Sequence, residues 1–242
     1  MYRPLIAANW KMNGNKKSVS DLATQMFDLH CDADVVIFPP YVLINSLVQA
    51  FSDTAIKVGG QNISEYDSGA YTGEISSVML KDIGCEYCLV GHSERRHLFG
   101  EDNSQVASKF YQSNRVGLNP ILCLGETLEQ REKNQTIDTI SSQIEAVLKY
   151  SEKNLPSAML IAYEPVWAIG SGSPAGLDQI KNVHQYIRSK LHSYEIEARI
   201  LYGGSVTSRN AGDLLKESEV DGLLIGGASL DAELFAQICK LA

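Results

Sequence analysis

No stretch of the chain stays apolar for the ~18 residues that a membrane-crossing helix needs. Residues 1–13 also lack the basic start and apolar centre of a secretory leader. Neither a membrane partner nor export is therefore expected. Cysteine is sparse and unsuited to a disulfide framework. Cys31, Cys85, Cys88, Cys123 and Cys239 are five in 242 residues, odd in number and irregular in spacing. That pattern points to reduced thiols and a cytoplasmic protein. Basic residues are outnumbered as well, 21 against 29 acidic, for a net charge of −8. An acidic balance argues against a nucleic-acid surface. Any anionic ligand must then be drawn in by local positive features. No charge block, low-complexity tract or Pro/Gly-rich linker interrupts residues 1–242, so one domain is expected.

What the chain does contain is alternation. Eight short, nearly continuous apolar runs read as strands: Leu5–Asn9, Val35–Phe38, Ile56–Gln61, Tyr87–Val90, Pro120–Leu124, Met159–Tyr163, Ala198–Tyr202 and Gly222–Ile225. Runs of this kind suit strands buried on both faces of a parallel sheet. Between them apolar residues recur at helical spacing. Examples are Val19, Leu22, Met26 and Leu29; Ile137, Ile140, Ile144 and Val147; Ile180, Val183, Ile187 and Leu191; and Leu234, Ile238 and Leu241. Eight strands, each followed by a helix, predict an α/β fold of the (β/α)8 barrel type, for which 242 residues is an ordinary length. Periodicity alone does not show closure, so a doubly wound open sheet is the alternative.

In such a barrel the reacting groups stand at the C-terminal ends of the strands. The polar residues just past those ends are Asn9 and Lys11, His92, and Glu164. Glu164 lies between Tyr163 and Pro165, where a buried carboxylate can serve as a general base. Taken singly it is more often a surface loop glutamate. His92 opens a short helix, whose dipole disfavours imidazolium and leaves a neutral ring able to donate to a carbonyl. Its plain reading is a capping histidine. Lys11 follows the first strand by two residues, where an ammonium can stabilise an oxyanion. Its plain reading is a solvated lysine.

Gly203-Gly204-Ser205 and Gly226-Gly227 follow strands seven and eight. Backbone N–H groups there can approach a phosphate, as happens at these places in many barrels. Residues 165–176 join strand six to its helix. They begin apolar, with Val166, Trp167 and Ile169, and become glycine-rich, which suits a lid. Two other patterns mislead. Gly170-x-Gly172-x-x-x-Gly176 starts too far past a strand for a dinucleotide turn. Cys85-x-x-Cys88 has no second cysteine pair, and residues three apart on a strand face opposite ways, so core packing is expected rather than zinc.

Two readings stand as alternatives to the one that the resemblance below implies. They are another phosphate-binding barrel enzyme, such as a sugar-phosphate aldolase or phosphoribosyl isomerase, and a non-catalytic phosphosugar-binding barrel. A Schiff-base aldolase would need an inner lysine, and Lys11 is the one candidate. The binding barrel would not need Glu164, His92 and Lys11 together.

Five segments then carry a resemblance: Asn9-Trp10-Lys11-Met12-Asn13, Gly91-His92-Ser93-Glu94-Arg95-Arg96, Tyr163-Glu164-Pro165-Val166-Trp167-Ala168-Ile169-Gly170, Tyr202-Gly203-Gly204-Ser205 and Gly226-Gly227-Ala228-Ser229. In order and spacing the chain resembles the triosephosphate isomerase family. Gly69-Ala70-Tyr71-Thr72-Gly73-Glu74 is similar to that family's interface loop, and Cys123-Leu124-Gly125-Glu126 to its strand-five end.

The resemblance implies interconversion of dihydroxyacetone phosphate and D-glyceraldehyde 3-phosphate through an enediolate, in glycolysis and gluconeogenesis, with no cofactor and no metal. It implies that Glu164 shuttles the proton, His92 acts as neutral electrophile, and Lys11 and Asn9 stabilise the enediolate. Gly170, Ser205, Gly226 and Gly227 would hold the phosphate, with Ser93 and Glu94 in support. It also implies a homodimer in which Thr72 enters the neighbouring subunit beside Lys11 and Glu94. One departure stands out. The lid ends in Ser173-Pro174-Ala175 rather than the family's usual Lys-Thr-Ala, and proline restricts rotation at the hinge.

Overall fold

The computed structural model describes residues 3–151, 155–169 and 174–242. Eight strands alternate with helices along the chain. The first half contains β1 (Leu5–Asn9), α1 (Lys16–Met26), β2 (Asp34–Phe38), α2 (Tyr41–Ala50), β3 (Lys57–Gly60), α3 (Ser77–Asp82) and β4 (Tyr87–Val90). Two helices follow β4, α4 (Ser93–Phe99) and α5 (Asn103–Arg115), before β5 (Asn119–Leu124). Two more, α6 (Leu128–Glu132) and α7 (Thr136–Tyr150), precede β6 (Ala158–Tyr163). The chain ends with α8 (Leu177–His192), β7 (Glu197–Tyr202), α9 (Ala211–Lys216), β8 (Gly222–Ile225) and α10 (Ala232–Cys239).

All strands are parallel, and the sheet closes in the order β1 to β8. Leu5 pairs with Asp34 on one side and with Gly222 on the other. Closure removes the open doubly wound alternative and confirms the (β/α)8 reading. Period-two alternation splits the apolar residues between two cores. Leu5, Ala7, Val36, Phe38, Leu89, Ile121, Cys123, Ala162, Leu201 and Leu224 fill the barrel. Their neighbours Ile6, Ala8, Val35 and Ile37 face outward and pack under the helices.

The helices are set by local chemistry. Asn15, Asp102 and Thr127 cap α1, α5 and α6, each in a reciprocal capping box with the residue three further on. The stripe Val19, Leu22 and Met26 buries the inner face of α1. Leu29 falls beyond that helix, and Leu241 falls beyond α10. Strand three is shorter than expected, with Ile56 and Gln61 flanking it. Cys85 also precedes β4, so the opposite-face argument does not apply to the Cys85–Cys88 pair. Both thiols are buried, and burial pushes each up to about 12. Among the described residues no cluster of three or more His, Cys, Asp or Glu could hold a metal, and no helix is long and apolar enough to cross a membrane.

Candidate active site

Closing eight parallel strands brings all their C-terminal ends to one rim. There a cavity of about 300 Å³ is lined by Asn9, Lys11, His92, Glu164, Ser205, Gly226 and Gly227, among others. Seven expected site residues therefore share one pocket. Ser93 and Glu94 support it from α4. Thr72 lies elsewhere, exposed on the loop between β3 and α3. Gly170 and the lid residues through Ser173 lie outside the described residues.

Glu164 follows β6 and is only 1% exposed. Its Oε2 accepts the Ser93 backbone N–H at 2.8 Å. Its Oε1 lies 3.0 Å from His92 Nε2 but makes no hydrogen bond. The strand-five end determines how closely Glu164 can sit. A Cβ on Gly125 would stand 1.8 Å from the Glu164 carbonyl oxygen, so only glycine fits.

His92 is the N-cap of α4, and its Nδ1 accepts the Glu94 N–H at 3.3 Å. A ring nitrogen that accepts from a backbone N–H carries no proton. The ring is then neutral, with its proton on Nε2 facing the cavity. Glu94 Oε2 is 3.8 Å from the same Nδ1, but that carboxylate is committed elsewhere, to Lys11 Nζ at 2.6 Å.

Lys11 has φ 53°, unusual for a residue other than glycine. Each of its polar groups is held. Its N–H donates to Asn9 Oδ1 at 3.0 Å, its carbonyl accepts from Gln61 Nε2 at 2.8 Å, and its ammonium meets Glu94. Gln61 also donates to the Phe38 carbonyl at 2.8 Å, joining the ends of β1 and β2.

The described parts of the 165–176 connection are anchored on both sides. Trp167 Nε1 donates to Glu126 Oε1 at 2.9 Å, and the Arg131 guanidinium lies over the indole, 4.4 Å from its centroid. Glu126 is fully buried and also accepts from the Tyr163 hydroxyl. Burial and the Glu126 charge push the Tyr163 phenol up, so it stays a donor. Beyond the undescribed stretch, the Ala175 N–H donates to the Tyr202 hydroxyl at 3.2 Å, and Pro174 is exposed.

Gln61 and the role of Glu126 were missed from sequence. Both are polar residues just past a strand end, the same signal that marked Asn9, His92 and Glu164.

The arrangement offers a buried carboxylate, a neutral imidazole donor and an ammonium around a glycine-rich cradle. That set suits proton transfer beside a carbonyl of a small phosphorylated substrate. Comparison with known proteins agrees with it. The family model described as Triosephosphate isomerase matches residues 4–242. A triosephosphate isomerase of Methylococcus capsulatus is 44% identical over 245 residues, covering 99% of this chain and 98% of its own. One of Coxiella burnetii is 45% identical over 246 residues, covering 98% and 96%. One of Halorhodospira halophila is 44% identical over 247 residues, covering 100% and 99%. A match of this extent, on a barrel whose rim carries the expected groups, places the chain in the triosephosphate isomerase family.

Proposed function

We propose that the chain interconverts dihydroxyacetone phosphate and D-glyceraldehyde 3-phosphate by proton transfer through an enediolate, with Glu164 as the base. The isomerisation follows from membership of the family. The assignment of roles rests chiefly on one observation: Glu164, His92 and Lys11 line one small cavity together with the glycine pair after β8.

The substrate phosphate sits on the backbone of Ser205, Gly226 and Gly227, with Gly170 from the lid. This places the reacting carbons between Glu164 and His92. Glu164 leaves the Ser93 N–H, removes a proton from one carbon and returns it to the next. His92 donates from Nε2 to the carbonyl oxygens. The Lys11 ammonium and the Asn9 amide stabilise the enediolate charge. No cofactor is called for, since carboxylate, imidazole and ammonium supply the chemistry. Residues 165–176 close over the intermediate and exclude water, which protects its phosphate from elimination.

The working unit in this reading is a homodimer. Met12, Val42, Met79, Leu98 and Phe99 are large apolar side chains at 50% exposure or more, all following β1 to β4. A second copy covering that side of the barrel, with Thr72 beside its Lys11, accounts for them. The protein works in the cytoplasm, in glycolysis and gluconeogenesis.

The test is Glu164→Asp in a coupled isomerisation assay. One methylene withdraws the carboxylate by about 1 Å, which costs roughly 100-fold in kcat with little change in KM. A variant with near wild-type kcat would remove Glu164 from the role.

A further inference from the structure

Two arginines follow Glu94 on α4, and they are used differently. Arg95 is neutralised: its Nε meets Glu101 Oε1 at 2.6 Å, and its guanidinium lies 4.5 Å from the Phe99 ring centroid. Arg96 pairs with no carboxylate among the described residues. Its three nitrogens go instead to three different elements. Nε donates to the Gly91 carbonyl at 2.8 Å, Nη1 to Asn103 Oδ1 at 2.8 Å, and Nη2 to the Cys123 carbonyl at 3.2 Å. These partners belong to the end of β4, the first turn of α5, and β5. Gly91 has φ +71°, and a Cβ there would lie 2.9 Å from Arg96 Nη2, so the guanidinium fills the space a side chain would take.

We propose that Arg96 is a positioning residue for the isomerisation: it clamps the turn from Gly91 to Ser93 against β5 and so fixes the Ser93 N–H and the His92 ring that face Glu164. A rigid fork suits this task, because three donors in one plane fix the relative placement of three elements. Its charge adds a second effect. A cation whose partners are all dipoles keeps its field. Burial lowers the guanidinium from its ordinary value, and the Glu164 carboxylate is among the groups that favour its charged form. The other groups around that carboxylate are His92, Lys11 with its Glu94 partner, and Cys123, whose thiol is pushed well above its ordinary range by burial and then by Glu164. Lys11 is already tied to Glu94. Arg96 is therefore the cation near the base that no carboxylate neutralises.

The inference rests on Glu164 being the base, and the two can fail separately. Glu164→Gln tests the base alone. If that variant stays active, the base assignment fails whatever Arg96 does. With the base established, Arg96→Gln removes the charge and the fork, while Arg96→Lys keeps the charge and loses the fork. Expected for Arg96→Gln is a fall in kcat of about tenfold or more with KM within about twofold. Arg96→Lys, which keeps the charge but loses the fork, should leave kcat reduced as well. Wild-type kcat in Arg96→Gln, with only thermal stability lowered, would overturn the proposal. If Arg96→Gln does not fold, Arg96→Lys and Asn103→Ala decide. The lysine loses the fork, and the alanine frees one arm of the guanidinium. Reduced kcat in both supports the clamp, and wild-type kcat in both overturns it.

Discussion

Lys11 sits in a backbone region that costs a residue with a Cβ about 1–3 kcal/mol, and it stays there because its neighbours over-determine it. Asn9, Gln61 and Glu94 hold its N–H, its carbonyl and its ammonium respectively. The strain aims the ammonium into the cavity instead of out to solvent, where a lysine after a strand would otherwise point. Gln61, like Glu94, touches no substrate in the proposed mechanism. Gln61→Met removes the donor to both the Lys11 and the Phe38 carbonyl at nearly constant volume. The loss of about 1.4 kcal/mol of positioning should lower kcat by about tenfold. A melting temperature reduced by only a few degrees would show that the barrel itself is intact. Unchanged kcat would mean that Lys11 holds its conformation without help from Gln61.

At the scale of the element, α8 lies against β6 through a histidine that serves packing, not catalysis. His184 is fully buried. Its Nδ1 lies 2.8 Å from the Glu219 carbonyl and must donate to it, and its ring meets Tyr163 edge-on at 5.8 Å. Burial lowers the imidazole to about 4 from its ordinary 6.5. The folded protein thus refuses a proton that the unfolded chain accepts. Stability is full above about pH 6.5 and falls as the pH drops toward about 4, where the loss levels off near about 3 kcal/mol. Urea unfolding at pH 7 and pH 4.5, at fixed protein concentration, should show a smaller drop for His184→Asn than for the wild type. Equal drops would mean that this ring does not carry the acid sensitivity.

The same element scale shows how far the sequence could be read. Strands β1, β4 and β8 were legible to the residue, because both their faces are buried and a continuous apolar run has no other home. Helices α1, α7 and α8 were legible through one buried stripe each. The short first helices of the pairs after β4 and β5 were not, since α4 and α6 are too short for periodicity to show and α4 exposes Leu98 and Phe99. Among site residues, those past strand ends stood out. Arg96 did not. A half-buried arginine in a charged run looks solvated until β5 is folded beside it. Gln61 was hidden because strand three was read one residue too far at each end, which placed it inside the strand.

The whole molecule presents a rim that is chemically complete around one cavity, with large apolar side chains exposed on the half from β1 to β4. Exposing Met12 at 95% and Val42 at 86% to water is unfavourable, and these two are the most exposed large apolar side chains among the described residues. Tyr66 and Tyr71 stack at 4.0 Å on the loop that carries Thr72, so that loop is ordered by its own packing. Replacing Thr72 with Arg puts a charge where the second copy is proposed to close over Lys11 and Glu94. Sedimentation should then report monomers, and the assay little isomerase activity. A fully active monomer would remove the dimer from the proposed function.

The central claim is that the hydrogen migrates as a proton, carried by Glu164, and not as a hydride. Turnover of D-glyceraldehyde 3-phosphate in D2O tests it, with the deuterium content of the dihydroxyacetone phosphate read by mass spectrometry or NMR. A proton held by a carboxylate exchanges with solvent during the enediolate's lifetime. The wild-type product should therefore carry carbon-bound deuterium at C1, and Glu164→Gln should form almost no product. Product formed at full rate with no deuterium at C1 would contradict the base mechanism.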